Sequence, residues 1–156
     1  MAGLIFLAQC TEEALAAATA EHVLQVRAAA NHPVKVLGWG GFFDGTSVSA
    51  EPVQVRVTGA TTTGTFTNAL TADSANGSKI CINGRSETIQ ATAHADSTAE
   101  PTPVQIFDIA EVHPQSGYEV RYPLGQEPII AGGNWVGIEC TAPAIVNVRA
   151  KLICEE

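Results

Sequence analysis

The residues able to do acid–base, nucleophilic or metal chemistry are few in this chain and poorly spaced for it. Its four histidines, His22, His32, His94 and His113, form no H-E-x-x-H or H-x-H arrangement, and no carboxylate cluster completes a metal triad. His22 and His94 fall at outward-facing strand positions, while His32 and His113 each precede a proline in a turn, so all four read as surface or turn histidines. A serine nucleophile on a G-x-S-x-G elbow is absent. The run Gly38-Trp39-Gly40-Gly41 lacks both G-x-G-x-x-G spacing and a following helix, so it is no nucleotide fingerprint. Cys10, Cys81, Cys140 and Cys154 contain no C-x-x-C pair, and zinc sites favour close-spaced ligands. Four cysteines allow three disulfide connectivities, and they read most simply as free, partly buried thiols in a reducing compartment. The expectation is a protein with no catalytic residues, no cofactor and no metal.

Composition narrows the partners. The chain has 156 residues, enough for one domain with a real core, taken here as 1–156. Hydrophobic residues make up 46% and charged residues only 15%, below the usual quarter. Surface so poor in charge points to a partner that covers it, and so to an oligomer. The formal net charge is −8, and the eight basic residues are scattered singly along the chain as solvent-facing positions. Nucleic-acid binding depends on neutralising phosphates, so DNA, RNA and anionic membranes are all poor partners. Residues 4–10 are faintly like a lipoprotein signal, but their apolar run is too short and no basic residue precedes it. They are expected to form a first strand, and no run approaches the ~18 apolar residues of a membrane helix.

The elements that must carry these residues are strands. Val53, Val55 and Val57 alternate with Gln54, Arg56 and Thr58, and Val146, Val148, Ala150 and Leu152 alternate with Asn147, Arg149 and Lys151. Period two with one dry and one wet face is the mark of an antiparallel sheet. Turn signals such as Asn31-His32-Pro33, Asp44-Gly45, Gly132-Gly133-Asn134 and Ala142-Pro143 recur between the runs. Strands are placed near 3–9, 21–28, 34–43, 52–58, 87–94, 103–112, 118–124, 134–140 and 144–154. Eight or nine short strands predict an all-β antiparallel β-sandwich or jelly roll. Residues 1–20 read as an N-terminal strand or arm, with a short helix behind a Thr11 cap as an option. Residues 59–86 lack clear alternation and read as a long irregular excursion, with room for a short helix over 66–72.

Aromatic residues cluster near glycine. Trp39, Phe42 and Phe43 lie in one glycine-rich strand, Tyr118 and Tyr122 near another, and Trp135 beside a Gly-Gly pair. By parity Trp39 shares a face with Leu37 and Phe43, and Phe42 shares one with Val36. Both faces of that strand are then apolar, as if it were covered twice. The six aromatics are read as core or subunit-interface residues, with ligand recognition as the alternative.

Three stretches carry a resemblance. They are Val34–Gly40 with Phe43-Asp44-Gly45-Thr46-Ser47 and Ala50-Glu51-Pro52-Val53, then Glu111 to Tyr118 with Tyr122 to Pro128, and Thr141-Ala142-Pro143 to Val148. Together they resemble small jelly-roll-like virion proteins of tailed bacteriophages, the decoration or cement subunits of the capsid. The resemblance implies a structural protein that is no enzyme, made in the host cytoplasm and placed on the virion surface. It implies a homotrimer bound to the phage major capsid protein where capsomers meet. The second reading is a trimeric receptor- or carbohydrate-binding head of a phage fibre, and a small cupin-type enzyme is the third.

Overall fold

Alternating β-branched residues leave the chain little choice but extended structure, and the computed structural model describes it over residues 3–71, 79–81 and 88–156. The strands are β1 (Ile5–Gln9), β2 (Glu13–Leu15), β3 (Ala20–Arg27), β4 (Val34–Phe43), β5 (Val53–Ala60), β6 (Thr65–Ala69), β7 (Lys79–Cys81), β8 (Thr92–Ala99), β9 (Gln105–Val112), β10 (Gly117–Arg121), β11 (Ile129–Ile130), β12 (Trp135–Thr141) and β13 (Val146–Glu155). One sheet runs β10-β4-β13-β1-β7, with β11 beside β4 and β2 beside β13; the other runs β6-β8-β3-β12-β5-β9. Every strand pair is antiparallel. Late strands β12 and β13 lie between early ones, the interleaving of a jelly-roll-like β-sandwich.

The core fills the space between the two sheets. Val53, Val55 and Val57 of β5, Val136, Ile138 and Cys140 of β12, and Val148, Ala150 and Leu152 of β13 are all buried there. Trp39 is fully buried, and its indole N–H donates to Asp108 Oδ2 at 2.9 Å. That bond joins β4 of one sheet to β9 of the other. The buried thiols Cys10, Cys140 and Cys154 are free, and burial pushes Cys10 up to about 12. The thiol of Cys81 lies outside the described residues.

Nine expected strands find counterparts; the short β2, β7 and β11, and β6, are additional. No helix occurs among the described residues. Residues 13–15 pair with β13 instead, Leu15 opposite Val146, which buries Leu15 and supplies backbone partners that an isolated helical turn would lack. Ala18, at φ 56°, then turns the chain into β3. Residues 65–69 likewise form strand rather than helix, because the edge of β8 is open to them and Thr65 and Thr67 favour extension. The remainder of the expected excursion, 72–78 and 82–87, lies outside the described residues. The strand expected over 87–94 begins later, at Thr92, since the backbone N–H groups of Gln90 and Ala91 are taken by the Glu156 carboxylate at 2.9–3.1 Å.

Four strand pairs slip by one residue, leaving Val23, Leu37, Thr98 and Phe107 as the extra residues. The slip at Leu37 corrects the parity argument for β4. Val36 points into the core before it, and Trp39 and Phe43 do so after it. Phe42 is turned to the outside and is 39% exposed. The strand therefore has one core face, not two.

Replacing Trp39 by Phe removes a hydrogen bond to a carboxylate across the sandwich. Urea denaturation is expected to show a loss of about 1.5–3 kcal/mol. An unchanged midpoint would mean that the bond contributes nothing.

Candidate functional site

The six aromatics separate into four places. Trp39 and Tyr118 meet with ring centroids 5.4 Å apart, and the Tyr122 hydroxyl donates to Asp108 Oδ2 at 3.3 Å. This cluster closes the flank where the edge strands β9 and β10 face one another. Burial, with the Asp108 carboxylate beside it, pushes the Tyr122 phenol well above its usual value, so it stays a neutral donor. Phe43 packs against the core, whereas Phe42 lies on the outside with the Lys151 ammonium 5.2 Å from its ring centre. Gly117 faces Phe42 across the pair, and a Cβ there would clash with the edge of the ring. Trp135 sits on the outer side of the six-stranded sheet, between the Arg27 guanidinium at 5.3 Å and the His94 ring at 5.8 Å, and is nearly buried. Burial, and then Arg27, hold His94 below the ordinary histidine range.

Register places polar residues in rows across that outer face. One row runs His22, Glu139, Arg56, Ile109; the next runs His94, Gln25, Gly137, Thr58, Ile106. Four of their side chains, His22, Gln25, Thr58 and Glu139, are buried. This corrects the expectation that His22 is a surface residue. Its ring bonds Glu100 Oε2 through Nδ1 at 2.6 Å and Thr58 Oγ1 through Nε2 at 2.9 Å. Glu100 also accepts the His22 backbone N–H at 2.7 Å. Arg56 is paired with Glu139, whose other oxygen lies 3.7 Å from His22 Nδ1. Gly137 makes room for this, since a Cβ there would sit 3.0 Å from the His22 ring.

The order carboxylate, imidazole, hydroxyl has the connectivity of a nucleophilic triad. Thr58 is only 1% exposed, so no substrate carbonyl reaches its hydroxyl in this conformation. What the arrangement does is fasten β3, β5 and β12 to the 100–104 connection on a face that is usually wet. Three buried atoms on the same face, Gln25 Oε1, Arg56 Nε and His94 Nδ1, have no hydrogen-bond partner among the described residues. Among those residues no group of histidine, cysteine and carboxylate side chains could hold a metal.

Two surfaces stand apart from the polar rows. The first is the free edge β9, where Ile106 and Ile109 end the rows at 47% and 53% exposure, with Val104 beside them. The charges of β9 are engaged, Asp108 by Trp39 and Tyr122 and Glu111 by the Gln54 amide at 3.0 Å. Exposed Tyr118 and Ile129 extend this flank, Ile129 sharing a shallow cavity with Val104 and Trp135. By contrast the β10 edge carries Glu119 and Arg121, and the β6 edge carries Thr65, Thr67 and Asn68. The second surface is a cavity of about 350 Å³ at one end of the sandwich, where the β4–β5, β9–β10 and β12–β13 connections meet. The three stretches singled out in the sequence, far apart along the chain, come together there.

Comparison with known proteins finds no matching family model, no matching curated protein and no matching solved structure.

The Arg56–Glu139 pair yields a direct test. Arg56→Met leaves a buried carboxylate without its partner and is expected to cost about 3 kcal/mol in urea denaturation. Arg56→Met with Glu139→Gln should recover at least half of that loss. A single-variant cost below about 0.5 kcal/mol would place the pair among inert surface bridges. A second test uses Glu13, which faces Asp96; burial, then Asp96, push its carboxyl up to about 7. The folded state therefore holds this proton more tightly than the unfolded chain, so stability falls as pH rises from about 4.5 to about 7. Glu13→Gln should flatten that slope, and an unaltered slope would assign it to other groups.

Proposed function

We propose that this chain is a structural virion protein, a decoration (cement) subunit that trimerises on the head of a tailed phage and braces the junctions between capsomers. The observation that carries the reading is the apolar flank along β9. An edge strand with exposed Ile106 and Ile109, whose carboxylates Asp108 and Glu111 are each held by neutral donors, is a surface that native proteins usually cover, twist away or charge further. The slip at Phe107 twists it, and a sister subunit would cover it.

Cyclic trimers suit three-fold points of a shell, since each subunit then meets an equivalent patch of the major capsid protein. A protein that binds only the assembled shell opposes its rupture by mass action. Net charge of −8 keeps the free oligomer soluble. The resemblance carried by residues 34–53, 111–128 and 141–148 supports the same reading. A receptor- or carbohydrate-binding head is favoured less, because both tryptophans, Trp39 and Trp135, are buried and only Tyr118 and Phe42 of the six aromatics are exposed.

Antibody labelling of purified particles tests this. Label spread over the whole head, at a fixed ratio to the major capsid protein, is expected. Ile109→Lys, which charges the flank, should lower occupancy at least several-fold while the free chain stays folded. Label confined to a tail tip would turn the assignment to the fibre head, and absence from particles would end it.

A further inference from the structure

The end cavity has an ordered rim. Its rim is three connections tied to one another by specific bonds. Gly45 N–H donates to Pro114 O at 2.7 Å, and the Gln115 side-chain amide donates to Thr46 O at 2.7 Å. Asn147 donates its backbone N–H and its side-chain amide to the two oxygens of Asp44, at 3.1 and 2.8 Å. Gly45 is required at its position, since a Cβ would lie 2.7–2.8 Å from Pro114. A rim fixed in this way loses little freedom when a ligand arrives.

The walls are apolar, formed chiefly by Ala50, Val53, Pro114, Pro143 and Val146. Val48 and Ile145 border the opening and are 83% and 79% exposed, so this end of the molecule presents aliphatic surface around a hollow. The only charged lining side chain is Glu51, which makes no ion pair or hydrogen bond among the described residues. Volume near 350 Å³ with mostly apolar walls and a few polar groups, here Thr46, Ser47 and the Glu51 carboxylate, is the usual make-up of a ligand pocket.

We propose that this cavity binds a short peptide segment of another protein, one that inserts an aliphatic or aromatic side chain and sets a lysine or arginine against Glu51. The apolar walls select the inserted side chain. The lone carboxylate, on a chain with a net charge of −8, selects a basic neighbour and rejects an acidic one. The inference concerns peptide binding and does not depend on the chain's being a virion protein, so either idea can fail without the other.

An NMR titration tests it, following backbone amides of the labelled protein. The probes are the peptides acetyl-Gly-Lys-Leu-Arg-Gly-amide, its Glu-Leu-Glu counterpart and its Lys-Ala-Arg counterpart. Saturable shifts of Gly45, Thr46, Glu51, Ile145 and Val146 are expected with the first peptide, and binding at least about fivefold weaker with each of the others. Glu51→Gln, an exposed change that leaves the rim bonds intact, should weaken the first peptide by about threefold to tenfold. Ala50→Trp, which fills the hollow, should abolish the shifts while spectral dispersion is kept. No saturable shift at millimolar peptide would overturn the proposal, as would equal binding of the acidic peptide or shifts centred elsewhere. Concentration-dependent shifts of the same amides without peptide would also overturn it, by making a second copy of this chain the occupant.

Discussion

A β-strand turns its side chains over every residue, so one extra residue sends everything beyond it to the opposite face. Much of this molecule depends on where such residues fall. Leu37 sets Trp39 and Phe43 into the core and leaves Phe42 outside. Val23 puts His22 opposite Glu139 on the outer face while Leu24 and Val26 remain inside. Phe107 does the same at the edge, so that Asp108 reaches Trp39 and Ile106 still shares a row with Thr58. The cross-sheet bond, the polar rows and the apolar flank each depend on these slipped registers, the bond on two of them.

This also explains what could be read from the sequence. Alternation in β5 and β13 is unbroken over most of its length, and those strands were legible to within a residue or two. The fold class follows from them and from the turns between. Of the six aromatics read as core or subunit-interface residues, Trp39 is fully buried and Phe43 packs against the core. The second apolar face expected for β4 was an artefact of counting through Leu37, because a bulge leaves no composition signal of its own. The His22 network was illegible for a different reason. Its members come from positions 22, 56, 58, 100 and 139, and only the pairing of β3, β12 and β5 brings them together. Gly137 was the nearest thing to a signal, since a glycine within a strand marks a close approach, here of the His22 ring. The short helix considered for 11–20 lost to pairing, as local propensity often does when an open strand edge is near.

The distribution of polar and apolar surface is the reverse of a simple sandwich. The outer face of the six-stranded sheet holds buried imidazole, amide and carboxylate groups, whereas the free edge β9 shows isoleucines to solvent. Buried, paired charges add little net stability but fix one arrangement of strands against its alternatives. A rigid outer face of this kind suits a molecule that presents fixed surfaces to neighbours. In the proposed reading, the apolar flank and the rimmed hollow at the end of the sandwich would be two separate places of contact, one for like chains and one for a different partner.

The central claim, that this protein works through contacts made by an apolar flank, is tested most directly by the mass of the isolated chain in solution. Light scattering coupled to size-exclusion at micromolar concentration should give three times the 16.2 kDa of one chain. A single-chain mass that persists as the concentration is raised would contradict it.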